Sequence, residues 1–107
     1  MTTTLGLVPT KEEVFLALHR VEDPELGMDI VELGLVYDVE IALPKVKVIH
    51  TLTSMGCPAG PMIQEDIANA VTSSFPDVED VELELTWDPP WTPDFMSDDA
   101  KFILGFG

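Results

Sequence analysis

One residue in this chain has a side chain suited to nucleophilic or soft-metal chemistry: its single cysteine, Cys57. Cys57 stands between a strand-like run ending Thr51-Leu52-Thr53-Ser54-Met55-Gly56 and a helix-like run that begins near Pro58. Proline is favoured at the first helical position, which places Cys57 at the N-cap, facing free backbone N–H groups and the positive end of the helix dipole. That environment favours thiolate, the form that attacks electrophiles and binds metal. Pro61 offers a second start one turn later, which weakens the effect. The alternative is that a free cysteine is simply a small buried hydrophobe.

Asp23-Pro24-Glu25 is the second candidate, because Pro24 imposes an extended or turn conformation that presents two carboxylates from a loop. In a chain with 20 acidic residues, two close together also arise by chance. His19 lies on a helix among charged residues and is expected to be solvated, whereas His50 lies on a strand face that otherwise reads as core. With one cysteine and no CxxC or HxxxH spacing, a complete mononuclear metal site within one subunit is not expected. Metal on Cys57 would draw its other ligands from a second subunit, a partner or a small thiol. Catalytic triads, glycine-rich phosphate loops and Walker-type motifs are absent from the sequence.

The elements that must position these groups follow from periodicity and caps. Thr10-Lys11-Glu12-Glu13 has capping-box spacing, and Val14, Phe15, Ala17, Leu18 and Val21 share a helical face, so a first helix is expected from Lys11 to Val21. Leu16 projects from the other face without explanation. Leu35, Tyr37, Val39 and Ile41 alternate with polar or smaller neighbours as a strand; Pro44-Lys45 turns the chain; Val46, Val48, His50 and Leu52 form the returning strand. Ile63, Ile67, Ala70, Val71 and Ser74 define a second helix from about Ala59 to Ser74, and Val81, Leu83, Leu85 and Trp87 a third strand.

The resulting order, helix-strand-strand-helix-strand, predicts a two-layer α+β domain with helices on one face of a small mixed sheet. Its wet face carries Asp38, Glu40, Lys47, Glu82 and Glu84. Residues 1–9 read as a mobile lead-in to this single domain, 1–107. Residues 88–107 read as a docked C-terminal segment, extended through Asp88-Pro89-Pro90-Trp91-Thr92-Pro93 and then helical from Asp98 to about Leu104, with Ser97 as cap and Gly105 as stop. Trp87, Trp91, Phe95, Phe102 and Phe106 are five of the eight aromatics, so the segment must dock on its own core or on a partner.

Length and charge bound the function. At 107 residues the chain suits one modest core, and its formal charge of −15 sets it against nucleic-acid phosphates and anionic lipid. The charge fits a saline cytoplasm or a basic partner. One cysteine excludes an intramolecular disulfide, no apolar run approaches a membrane span, and Met1-Thr2-Thr3-Thr4 lacks the basic residues of a leader. A soluble cytoplasmic protein is expected.

Three stretches together resemble the SufT/PaaD-like iron–sulfur cluster assembly domain family. They are Val21-Glu22-Asp23-Pro24-Glu25-Leu26-Gly27 with Ile30-Val31-Glu32-Leu33-Gly34-Leu35-Val36-Tyr37; Thr51 to Pro58 around Cys57; and Pro89-Pro90-Trp91-Thr92-Pro93-Asp94 with Met96-Ser97 and Leu104-Gly105. The resemblance spans about Thr10 to Gly105. It implies an α/β domain that supports iron–sulfur protein maturation as a carrier, adaptor or targeting factor rather than as an enzyme. The family's cysteine falls on Cys57, its acidic loop on Asp23 and Glu25 with Leu26 beside them, and its polar pair on Thr53 and Ser54, all expected around one shallow pocket.

Cys57 would then bind iron or a cluster transiently, or pass sulfur, with no stably held cofactor. The partners implied are assembly machinery or client apoproteins, with a homodimer conceivable. The 107 residues lack the cysteine-rich C-terminal region of the phenylacetate branch, which favours the general assembly branch. The alternatives are an auxiliary subunit of a multicomponent oxygenase, and an acidic binding module in which Cys57 is structural.

Overall fold

A computed structural model describes residues 9–53, 56 and 58–105. Thr10 opens helix α1 (Lys11–Leu18) with the anticipated capping box: its hydroxyl accepts from the Glu13 N–H, and its own N–H donates to Glu13 Oε1 at 2.8 Å. Val14, Ala17 and Leu18 are buried, whereas Leu16 is 68% exposed. The helix stops at Leu18, short of the expected Val21. Arg20 and Val21 donate back to Ala17 and Leu18 in tightened i→i+3 bonds, and the Val21 carbonyl accepts from Ile30 N–H at 2.9 Å. Val21 is thus buried as part of a ladder rather than as a helical turn.

That ladder is an element that periodicity did not reveal. Strands β1 (Glu22–Asp23) and β2 (Met28–Asp29) form an antiparallel hairpin, with Asp23 opposite Met28 and Glu22 opposite Asp29. Two-residue strands carry no readable alternation.

Strands β3 (Val36–Ala42) and β4 (Lys45–His50) are the predicted hairpin, and β5 (Asp80–Leu85) adds parallel to β4 after the crossover through α2 (Gly60–Ser74). The sheet order is β3-β4-β5, mixed as expected. Val39, Val46 and Val48 point into a core that also holds Val14, Leu18, Ile63, Ile67 and Val71 from the two helices. The opposite face carries Lys45–Glu82 and Lys47–Glu84 ion pairs at 3.1 and 2.8 Å. Glu84 beside Lys47 raises that ammonium's pKa, and Lys45 lowers that of Glu82. Strand β5 ends at Leu85, not Trp87. Thr86 still donates to the His50 carbonyl, but its hydroxyl then accepts from Asp88 N–H and turns the chain towards Pro89 and Pro90, which have no N–H to continue a ladder.

Helix α2 begins two residues later than the N-cap reading required. Its N-cap is Ala59, with no side-chain cap bond, and Pro61 lies in the first turn. The placement of Cys57 at the N-cap is therefore not realised. The proline pattern allowed both starts; at the observed one, a Cβ on Gly60 would stand 3.0 Å from Leu52 Cδ1, a tight approach that glycine avoids.

The C-terminal segment docks on its own chain. Trp91 Nε1 donates to the Leu33 carbonyl, and Tyr37 Oη to the Pro89 carbonyl, both at 2.7 Å. Ser97 N–H donates to the Glu32 carbonyl at 2.8 Å, and Tyr37 meets Phe95 edge to face, with centroids 5.8 Å apart. Gly34 has φ +79°, and a Cβ there would lie 2.3 Å from the Phe95 carbonyl oxygen, so only glycine admits the segment. A single 3-10 turn (Pro93–Phe95) leads to α3 (Asp98–Leu104), which has the predicted Ser97 cap and Gly105 stop and buries Ala100. No helix among the described residues is long and apolar enough to cross a membrane.

Candidate functional site

The acidic loop is wound around Asp23. Its Oδ1 accepts from Glu25 N–H at 2.8 Å, its carbonyl accepts from the Leu26 and Gly27 N–H groups, and Gly27 closes the turn at φ +66°. Pro24 and Glu25 face solvent, while Leu26 packs half-buried against the core. Asp23 itself is 0% exposed, and its second oxygen, Oδ2, has no hydrogen-bond partner among the described residues. Buried polar atoms are almost always paired, because an unpaired one forfeits its hydration. An unpaired buried carboxyl oxygen inside a loop marks Asp23 as a candidate functional group.

Backbone hydrogen bonds tie this loop to the end of β4. Val21 accepts from Ile30, Ile30 accepts from Leu35, and Leu35 accepts from Thr51 N–H at 2.8 Å. Thr51 is fully buried, Leu52 is buried and Thr53 half-buried, so the chain leaving β4 starts from a fixed point. Ser54 and Cys57 lie outside the described residues. The relay joins Val21, Ile30, Leu35 and Thr51 and so ties the start of the acidic loop to the chain leaving β4, at the end of the sheet where parallel β4 and β5 have their carboxyl ends.

His50, the last residue of β4, links to Gln64 of α2 and to the Thr51 carbonyl. His50 is 1% exposed, as its strand position predicted; Gln64 Nε2 lies 3.2 Å from His50 Nε2, and His50 Nδ1 lies 3.3 Å from the Thr51 carbonyl. These contacts assign the neutral tautomer, with Nδ1–H donating to Thr51 and Nε2 accepting from Gln64. Burial lowers the imidazole's pKa and maintains that state. Tyr37, whose hydroxyl also meets the Thr51 side chain, has its pKa raised, chiefly by burial. Gln64 went unremarked in the sequence, and Tyr37 was read only as a strand residue, because their partners are distant in the chain.

His19 departs from expectation. It is half-buried rather than solvated, and its Nδ1 lies 2.8 Å from Asp29 Oδ2 and 3.8 Å from Glu32 Oε2. The shortened α1 and the unforeseen hairpin bring these three together. No sequence periodicity signals that contact.

A fold and a site of this kind define a class. The family model for "iron-sulfur cluster assembly protein" matches residues 11–85, and the chain belongs to that family. It is 49% identical over 96 residues to the "Fe-S protein maturation auxiliary factor YitW" of Bacillus subtilis, covering 89% of this chain and 93% of that one. It is 50% identical over 84 residues to the "Fe-S protein maturation auxiliary factor SufT" of Staphylococcus aureus, covering 78% and 94%. Among solved structures, the crystal structure of "Domain of Unknown Function DUF59" from Bacillus anthracis superposes with a TM-score of 0.85 at 39% identity, over 91% of this chain and 92% of that one.

Proposed function

We propose that this chain is an accessory factor in iron–sulfur cluster assembly or delivery, in which Cys57 transiently ligates iron or a cluster as cargo. The observation that carries the reading is the buried, unpaired Oδ2 of Asp23 in the family's acidic loop. A carboxyl oxygen without a partner is free to bind the cargo's iron or a sulfhydryl hydrogen, and holding it ready in the folded state lowers the reorganisation needed when cargo arrives. Glu25, exposed at the loop's tip, and Leu26 border the approach; Thr53 and Ser54 lead the chain towards Cys57. The names of the relatives, both Fe-S protein maturation auxiliary factors, support the same reading.

On this view the protein is a carrier or adaptor and not an enzyme, acts as one unit in the cytoplasm, and holds no cluster permanently. Its partners are assembly machinery or client apoproteins, and the charge of −15 favours contact with basic surfaces over nucleic acid or anionic membrane. A homodimer sharing one cargo between two Cys57 thiols satisfies the ligand shortage.

The test uses cells lacking this chain, with aconitase activity measured after adding back wild type or Cys57→Ala. Restoration by wild type alone supports the proposal. Restoration by both makes Cys57 a packing residue and the protein an adaptor, and no dependence of aconitase on the chain overturns the assembly reading.

A further inference from the structure

We propose that His19, Asp29 and Glu32 form a second site, separate from Cys57, that binds one divalent cation of the Zn(II), Mn(II) or Fe(II) type. Each residue offers one ligand atom, and the three atoms lie within 4.8 Å of one another. With metal–ligand bonds of about 2.1 Å, neighbouring ligand atoms stand about 3.0 Å apart in an octahedral shell and about 3.4 Å apart in a tetrahedral one. The observed separations of 2.8 Å from His19 to Asp29 and 3.8 Å from His19 to Glu32 bracket both values.

The surrounding contacts orient the ligands as a metal requires. Asp29 Oδ1 accepts from the Val31 and Glu32 N–H groups, each at 2.8 Å, and so turns Oδ2 towards His19. Glu32 Oε1 accepts from the Ser97 hydroxyl, leaving Oε2 as the oxygen aimed at the imidazole. Ligating carboxylates are characteristically fixed in this way through their second oxygen. A plain His–Asp pair accounts for Asp29 but not for Glu32, whose backbone and side chain are both anchored to Ser97 beside the cluster.

Electrostatics point the same way. Arg20, the cation next in sequence, donates to the Ala17 and Ala70 carbonyls and the Ser74 hydroxyl instead. Among the described residues Asp29 and Glu32 have no lysine or arginine partner, and the basic side chain beside both is His19. Two carboxylates and a neutral imidazole balance a divalent charge, and one nitrogen with two oxygens suits borderline cations rather than thiophilic ones. Three protein ligands leave positions for water. Bound metal would join α1, β2 and, through Ser97, the C-terminal segment.

The experiment uses the full chain carrying Cys57→Ala, stripped with chelator and titrated with Zn(II) or Mn(II) at about 0.15 M salt, which screens diffuse binding to acidic surface. Calorimetry should give one saturable equivalent, and the melting temperature should rise with metal. Adding His19→Ala should weaken binding by at least about 100-fold, as should Asp29→Asn, which retains the Oδ1 acceptor and hence the local fold. Glu82→Gln with Glu84→Gln, on the far face of the sheet, should leave it unchanged. Absence of a saturable equivalent in the Cys57→Ala chain, or undiminished binding in both ligand variants, overturns the proposal. Because the thiol is absent throughout, neither result depends on the role of Cys57.

Discussion

The two strands of the β1–β2 hairpin each carry an aspartate, and the two have opposite fates. Asp29 is half-buried, with Oδ1 saturated by two backbone N–H groups and Oδ2 against His19. Asp23, on the neighbouring strand, is completely buried with one oxygen unpaired. Both use Oδ1 to shape a local turn. The difference lies in what surrounds Oδ2.

The Asp29 side is braced by the C-terminal segment, through Trp91 on Leu33, Phe95 on Gly34 and Ser97 on Glu32. That bracing fixes the hairpin while Asp23 retains an unsatisfied acceptor, a local penalty the rest of the fold must offset. Bracing contacts are concentrated on one side of the hairpin, and the unpaired buried carboxyl oxygen lies on the other.

Breaking the braced side should have the largest effect. Gly34→Ala places a Cβ 2.3 Å from the Phe95 carbonyl oxygen at a positive φ, and should cost about 3 kcal/mol or more in denaturant unfolding, with the C-terminal segment displaced. Trp91→Phe removes the donor to the Leu33 carbonyl and should cost about 1–2 kcal/mol by the same measurement.

The His50–Gln64 link is tested by pH. Burial lowers the folded-state pKa of His50 from its ordinary 6.5, so as pH falls below that value the unfolded chain takes up the proton first. The His50 contribution is therefore intact above pH 6.5 and is lost as pH falls through the folded-state value. The slope of unfolding free energy over that interval should be shallower in His50→Phe. The smallest effect belongs to the exposed Lys11–Asp38 pair at 3.1 Å: Lys11→Ala should change stability by less than about 0.5 kcal/mol and leave the hairpin comparison untouched.

Much of this frame was legible in the sequence because its signals are local. The Thr10 and Ser97 caps, the β3–β4 alternation and the α2 stripe of Ile63, Ile67 and Val71 each specify their element from within a few residues. Most of the failures are decided by contacts outside the local run. Val21 satisfies the helical period, yet Ile30 draws it into a ladder. Pro58 and Pro61 both suit a helix start, and the helix opens at Gly60, where the chain passes close to Leu52. His19 has a polar helical context, and only the folded hairpin supplies Asp29. For the site, residue chemistry drew notice to Asp23 and Cys57 and the family resemblance grouped them with Thr53 and Ser54. The burial of Asp23 and its unpaired oxygen are properties of the fold alone.

The most direct test of the central claim is Asp23→Asn in cells lacking the native chain, with aconitase activity as the readout and unfolding of the purified variant as its control. The substitution keeps the Oδ1 acceptor for Glu25, and Oδ2 has no bond to lose, so stability should change by less than about 1 kcal/mol. Aconitase restoration should nevertheless fail. Full restoration by this folded variant would contradict the account, reducing the unpaired oxygen of Asp23 to a feature of packing.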